Sequence, residues 1–501
     1  MNKIIIGILF FCLLFCNLFA QESVKFNRYY ITQSGNNEIR DVVISDSLYI
    51  LIGVEPDSIT GVMGISRIKY DTLGNIIDYQ IYSSNSRSLY HDNVNSTIKD
   101  LNSGFILTGG TYSASGKGFY LMKLNQYGDS VWFKVYDEDS LANLSYNLCH
   151  SFDTSYIVTG GQIVNNSEDM YVANVDTAGN IKWKTLVGGN QVNLDYGVSI
   201  TRTWDSCYIA AGLTKSYTGY EKWFVVKLNR QGDVIWKQWY GENNTTDDGP
   251  CRVYELRDST YFMYGRRGIS NSYYTQGRIK KFDKNFIEQN NQFFGYPQSL
   301  GFIGAPVFKS DGYIYATGFT VIPEISNSRY VLYKLNSNLD SIWRRKYELL
   351  DPEIPANYNN PAFNAGFRDI DVCPDGGFII AGYYYLNGEK RIWLIKTDSL
   401  GCDGTYNCDS LLNSFINELK PQESQIKIYP NPTNQNLNIE YNLLANKWIA
   451  IKVYNPLGQL VFTKNNLPNS GSLQIDVSNF KEGIYFIDFN NEVKQKFSVV
   501  H

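Results

Sequence analysis

An apolar run carrying a glycine recurs along this chain at nearly constant spacing, as in "SGFILTGGTY", "SYIVTGGQ", "CYIAAGLT", "GYIYATGFT" and "GFIIAGYYY". Taking Gly53, Gly110, Gly161, Gly212, Gly265, Gly318 and Gly382 as markers, the successive separations are 57, 51, 51, 53, 53 and 64 residues. Self-similarity at such a period is the mark of a repeat architecture and overrides any single local motif. Between 13 and 16 residues after six of the glycines comes a second apolar strand ending in a basic residue: Lys69, Lys123, Lys227, Lys281, Lys334 or Lys396. The third repeat reads "YVANVD" there instead. A turn such as "DTLGN", "NQYGD" or "NRQGD" follows, in which Asp or Asn starts the turn and Gly supplies positive φ. Trp132, Trp183 and Trp236 lie four residues beyond the turn glycine, and Trp343 takes the same place in the sixth repeat. Each unit thus supplies about four strands, and its marker glycine is expected to end an inner strand where the chain turns.

Seven such units predict a seven-bladed β-propeller, in which blades bury one another's faces by radial packing. The seventh unit lacks its Trp strand, running through "WLIKTDSLG" into "CDGTYNC". Near the start of the chain "FNRYY" has the outer-strand pattern, Phe26 with Tyr30 four residues on, as in Trp132 with Tyr136. Residues 24–33 are therefore expected to complete the last blade and remove the exposed edge of an open ring. The composition agrees with an all-β chain: 39 Tyr, 27 Phe and 41 Gly against 5 Met.

The opening "MNKIIIGILFFCLLFCNLFAQ" pairs one Lys with a short apolar core and a small residue before Gln21. It predicts an export signal over 1–20, cleaved between Ala20 and Gln21, with no membrane span in the mature chain. Export places the remaining cysteines in an oxidising compartment, where Cys402 and Cys408 in "CDGTYNC" are close enough for a local disulfide. The other four are spread singly over the repeats and read as small buried hydrophobes. With three histidines and no second close cysteine pair, neither a metal nor another cofactor is expected. A formal net charge of -4 offers no basic footprint for nucleic acid.

After Cys408 the pattern changes. Residues 21–408 are assigned to the propeller, the polar, aperiodic 409–426 to a linker, and 427–501, with its short alternating strands, to a small immunoglobulin-like β-sandwich. Tyr429, Pro430, Asn431 and Pro432, then "VYNPLGQ" around Gly458, "DVSNFKEGIYFI" around Gly483, and a closing strand with Lys494 and Lys496 resemble the type A C-terminal sorting domain of type IX secretion substrates. That resemblance implies the type IX machinery as partner, transport across the outer membrane, and a final location on the cell surface or outside the cell.

The repeats hold no GxSxG elbow and no HExxH, and no Ser/His/Asp set is made plausible by local context. Cys149 beside His150 would point to opposite faces of a strand, which rules against a thiolate–imidazole pair. Asp247 and Asp248 are expected in a solvated inter-blade loop. Loops after the marker glycines carry Tyr112, Tyr217, Tyr220, Tyr273, Tyr274, Tyr383, Tyr384 and Tyr385. Exposed Tyr stacks on sugar rings or anchors a protein partner at low entropic cost. The sequence thus points to an exported binding or scaffold module for a polysaccharide or surface protein. Its competitor is a glycan-active enzyme with a composite carboxylate site.

Overall fold

The computed structural model describes residues 24–405 and 425–501 apart from short internal stretches, the longest being 138–142, 189–193, 242–246, 269–274, 295–300, 349–364 and 443–448. Ala20, Gln21, Tyr273, Tyr274 and Cys408 lie outside the described residues. The chain divides into two compact units, Met1–Leu411 and Leu412–His501. Both are built of strands, with no helix among the described residues.

The first unit contains seven antiparallel sheets in chain order, here sheets 1 to 7. Their first strands are Glu38–Ser45, the split pair Arg87–Tyr90 and Thr97–Lys99, Asn143–His150, Asp195–Arg202, Cys251–Glu255, Gly301–Phe308 and Ala365–Val372. Sheet 7 receives its fourth strand from the other end of the chain: Phe26–Tyr30 pairs with Glu389–Lys396, Phe26 opposite Lys396 and Tyr30 opposite Ile392. Each apolar core belongs to two consecutive sheets. Ile52 and Ile65 of sheet 1 meet Leu107 and Met122 of sheet 2. So on around the succession to Ile379 and Leu394 of sheet 7, which meet Ile39, Leu51 and Ile68 of sheet 1.

The marker glycines do not end their strands, contrary to the expectation from sequence. Gly53, Gly212 and Gly382 sit inside Leu48–Pro56, Tyr208–Thr214 and Phe378–Leu386. What requires glycine is the neighbouring first strand. A β-bulge interrupts it opposite the glycine, between Ile39 and Asp41, Ser145 and Asn147, Gly197 and Ser199, and Phe367 and Asp369. The extra residue bends that strand and pushes a carbonyl over the glycine. A Cβ would lie 1.8 Å from the Leu144 oxygen at Gly160, 1.9 Å from that of Tyr196 at Gly212 and 2.2 Å from that of Gly366 at Gly382. In sheet 2 the first strand is split, Arg87–Tyr90 and Thr97–Lys99 both pairing with Phe105–Ser113, and Gly109 meets the Tyr90 oxygen in the same way.

At the periphery the turns perform a second joining task. Asp71 accepts hydrogen bonds from the Leu73 and Asn75 N–H groups (2.9 and 2.8 Å), which shapes the turn and leaves Gly74 at φ 80°. An aromatic side chain from the preceding sheet covers such turn glycines: Phe26 on Gly74, Trp183 on Gly232 and Trp343 on Gly401. Four residues beyond, a tyrosine donates to the same glycine's carbonyl, as Tyr30 does to Gly74, Tyr136 to Gly179 (2.8 Å) and Tyr347 to Gly401 (2.8 Å). The recurrent basic residue holds the first hairpin of its own sheet, Lys123 pairing with Asp100 (2.7 Å), Lys227 with Asp205 (2.6 Å) and Lys396 with Asp375 (2.7 Å). The third repeat, which has Asn174 instead, bonds it to Ser155 (2.6 Å) and moves the ion pair to Lys182 and Asp153.

The second unit has a sheet of Gln425–Tyr429, Asn436–Asn442 and Ser470–Asp476, and another of Leu460–Leu467, Ile449–Tyr454, Gly483–Phe489 and Val493–Val499. Leu437, Ile439 and Ile475 of the first share one core with Ile451, Val453, Ile487 and Phe497 of the second.

Two stability outcomes are expected. Gly212→Ala forces its methyl into a backbone carbonyl and should cost at least the ~1–3 kcal/mol typical of overpacking, whereas Gly366→Ala, whose Cβ meets open space, should stay near neutral in urea unfolding. Tyr347→Phe should lose about 1 kcal/mol with its hydrogen bond. Tyr240→Phe should lose nothing in the same assay, because its hydroxyl is buried without a partner and packs by Phe282.

Candidate functional site

The first strands surround the axis of the succession, and polar side chains just beyond the bulges join them to one another. Asp369 Oδ2 accepts the Val42 N–H (2.9 Å), linking sheet 7 to sheet 1. Asp41 Oδ2 accepts the Ser96 N–H (3.0 Å) and faces His91 Nε2 (2.8 Å) in sheet 2. Ser96 Oγ donates to the Tyr146 carbonyl (2.8 Å), Asn147 Oδ1 accepts the Ile200 N–H (2.9 Å), and Ser199 Oγ accepts the Val253 N–H (3.3 Å). A belt of side-chain-to-backbone bonds thus passes through sheets 7, 1, 2, 3, 4 and 5. Asn95 Nδ2, between the two halves of the split first strand of sheet 2, reaches Tyr254 Oη of sheet 5 (3.2 Å) and so links two sheets that are not consecutive.

The belt contains the only carboxylates of the described residues that this interior hydrogen-bonding chain draws together. Asp41 and His91 are buried, and the other ring nitrogen of His91 faces the Thr108 carbonyl (3.0 Å). Asp369 is buried as well, and its carboxyl is held well above the usual carboxylate range, first by burial and then by the negative charge of Asp41. None of these residues was singled out by sequence reasoning. The available signal was a polar residue 12 to 14 positions before a marker glycine: Asp41 before Gly53, Asn147 before Gly161, Ser199 before Gly212 and Asp369 before Gly382.

The tyrosines divide. Tyr217 and Tyr220 are exposed (39% and 40%) in the turn before Lys222–Leu228, as a loop role requires. Tyr112 and Tyr383–Tyr385 correct the expectation, since they lie within strands Phe105–Ser113 and Phe378–Leu386, which continue past their glycines. Tyr384 is buried in the core with Phe367 and Trp393, and Tyr383 donates to Glu38 Oε1 (3.0 Å). Asp248 is another correction: it is buried and paired with the equally buried Lys222 (3.2 Å), and burial raises its pKa. Cys149 packs into the core of sheets 3 and 4, with its thiol pushed up to about 12 by burial, while His150 Nε2 binds the Lys99 carbonyl (2.7 Å). The two do not form a pair. Cys402 is buried and disulfide-bonded, and Cys149, Cys207, Cys251 and Cys373 are free thiols. A cleft of about 290 Å³ opens between sheets 5 and 6, lined by Leu256, Phe308, Tyr313 and Ile314 with Glu255 and Lys309.

In the second unit the recurrent motif residues clamp the last strand. Asn431 Oδ1 accepts the Ser498 N–H (2.9 Å), Thr433 N–H donates to the Ser498 carbonyl (2.9 Å), and Val500 N–H donates to the Thr433 carbonyl (3.0 Å). Tyr429 is exposed and donates to Glu440 (2.6 Å), and the peptide bonds before Pro430 and Pro432 are cis. Gly458 takes positive φ (78°) in the Asn455–Gln459 turn, Gly483 lies against Pro456, and Lys496 is exposed. Lys494 pairs through its backbone with Asp488.

Residues 427–500 match the family described as secretion system C-terminal sorting domain. No curated protein matches the chain. Among solved structures, the β-propeller domain of the Trilobed protease from Pyrococcus furiosus is similar over 75% of this chain and 100% of its own (9% identity, TM-score 0.38). Polysaccharide lyase Uly1 is similar over 72% and 90% (6% identity, TM-score 0.44). The Pyrococcus horikoshii acylaminoacyl peptidase is similar over 82% of this chain, which spans 58% of that protein (9% identity, TM-score 0.38). Values this low carry nothing about activity, ligand or assembly. The chain is thus an all-β protein with propeller-like neighbours, and its type IX sorting domain directs it to the cell surface or beyond.

The belt makes two predictions. Asp41→Ala, which strips two backbone N–H groups and His91 of their buried acceptor, should cost about 3–5 kcal/mol in chemical unfolding. Asp369 behaves oppositely. Its raised folded pKa means that it stabilises below the unfolded carboxylate value, and that this contribution is lost as pH rises through the folded value. Asp369→Asn keeps an oxygen for the Val42 N–H, so its melting temperature should exceed the parent's at pH 8 and converge with it toward pH 4.

Proposed function

We propose that residues 24–405 form a seven-bladed β-propeller that binds a glycan or protein outside the cell, and that the second unit is an immunoglobulin-like sandwich that delivers it there. The seven sheets with shared cores, and the pairing of Phe26–Tyr30 into the last of them, support the propeller reading. The two sheets around one core support the sandwich. In this reading residues 1–20 are the export signal and Cys402 is bonded to Cys408, six residues on. The export route rests on the sorting-domain match.

For binding over catalysis, the observation that carries the reading is the use made of the axial carboxylates. Asp41 and Asp369 face backbone N–H groups of neighbouring sheets, where they hold the belt together. Tyr217 and Tyr220 meanwhile offer exposed rings on one turn. The competing reading, a glycan-active enzyme, draws on one feature: a buried carboxyl whose pKa is raised, first by burial and then by a second carboxylate beside it, the direction in which an acid catalyst is tuned.

One assay separates the two. The full chain is passed over insoluble and immobilised polysaccharides, with soluble products measured in the same tubes. Retention without products, reduced several-fold by Tyr217→Ala with Tyr220→Ala, is the expected outcome. Released oligosaccharide that disappears in Asp369→Asn would replace binding by catalysis.

A further inference from the structure

In sheets 1, 3, 4 and 7 the bulge puts one residue of the first strand out of register, and in sheets 1 and 7 that residue is an arginine. Arg40 lies between Ile39 and Asp41, and Arg368 between Phe367 and Asp369. Sheet 5 has no bulge in its first strand, and its Arg252, in register with Tyr264, donates through Nη1 to the Val198 carbonyl of sheet 4 (3.0 Å). Arg40 and Arg368 thus occupy the bulges of two sheets that share one apolar core.

The pair from sheets 1 and 7 is built into a network. Arg40 Nη2 and Lys390 Nζ both contact the Glu38 carboxylate, Tyr383 donates to it, and Arg368 Nη2 donates to Tyr383. Two cations contact one carboxylate, and a third reaches it only through Tyr383. The next acidic groups inward are already engaged, Asp41 with His91 and two N–H groups and Asp369 with the Val42 N–H group. The Nε–H groups of Arg40 and Arg368 are buried with no hydrogen-bond acceptor. An arginine Nε–H left without an acceptor on each of two neighbouring guanidinium groups, in a region where two cations already crowd one carboxylate, fits an oxyanion, which offers an oxygen to each. The side chains are shielded but not sealed, at 18% exposure for Arg40 and 16% for Lys390.

We propose that Arg40 and Arg368, with Lys390, form a binding site for an oxyanion carried by the ligand, a carboxylate or sulfate group on an acidic polysaccharide. The polymer part rests on the binding reading above, whereas the oxyanion site does not. Glu38 is the resident anion that the ligand's oxyanion displaces or neighbours, and Tyr383 positions Arg368.

The test is affinity electrophoresis of the full chain through gels containing polygalacturonate, dextran sulfate or neutral dextran, alongside melting curves in inorganic sulfate. Retardation by one or both acidic polymers and not by dextran is expected, and which of them retards identifies carboxylate or sulfate. Arg40→Gln with Arg368→Gln should weaken it at least tenfold, and rising NaCl should do the same. Glu38→Gln, which removes the competing carboxylate, should strengthen it about threefold or more, and that gain cannot come from misfolding. Equal retardation by neutral and acidic polymers, unchanged in the arginine variants, would overturn the oxyanion site and leave glycan binding standing. If no polymer retards the chain yet sulfate raises the parent's melting temperature and not that of the arginine variant, the site stands and the polysaccharide falls. If neither polymer nor sulfate has an effect, both fail.

Discussion

A carbonyl pressed onto a glycine is the contact on which this architecture depends. The bulge in the first strands of sheets 1, 3, 4 and 7 turns a polar residue toward the neighbouring sheet, and the bulge fits only because the facing residue has no side chain. From it follow the belt of side-chain-to-backbone bonds and the emergence of Arg40 and Arg368 at the axis. The belt supplies what apolar faces cannot. Burial between sheets is non-directional, whereas an Asp or Asn oxygen aimed at one particular N–H group fixes how far each sheet is rotated against the next.

The outer contacts are a second, independent system. Aromatic rings over turn glycines, with a tyrosine hydroxyl on the same carbonyl, join consecutive sheets at their far edge as the belt does near the axis. Sheet 5 shows what happens when the glycine is absent. Its turn has Phe286 at that place, also at positive φ (61°), and Tyr240 of sheet 4 packs against Phe282 instead of donating a hydrogen bond. Outer strands are chain edges as well, and Lys134, Lys182 and Lys237 along them hinder pairing with other chains.

Much of this was legible because it is repeated. The period, the Asp or Asn that starts each turn, the Lys before it and the Trp after it all survive in several copies, so their offsets stand out from the background. The glycine's role was misread because a bulge is a property of two strands together and leaves no mark in either alone. Tyr383–Tyr385 looked like loop residues for a related reason: the strand continues past its glycine, and an aromatic run reads the same at the end of a strand as in a turn. Asp248 was placed in solvent because its partner, Lys222, lies 26 residues away on another hairpin. The belt residues were missed because a single polar residue in an apolar strand has no meaning until its neighbour in space is known.

The seventh sheet joins residues near the two ends of the first unit: Phe26 pairs with Lys396 across the whole intervening chain. The conformational entropy of closing so long a loop grows only slowly with its length, so distance adds little to the equilibrium penalty. It acts instead on timing. For as long as the strand Glu389–Lys396 is still to be delivered, the strand Phe26–Tyr30 lacks its backbone partner. Completion of the seventh sheet therefore coincides with arrival of the segment that precedes the sorting domain, and a chain cut short upstream of it carries an unpaired edge in place of an address.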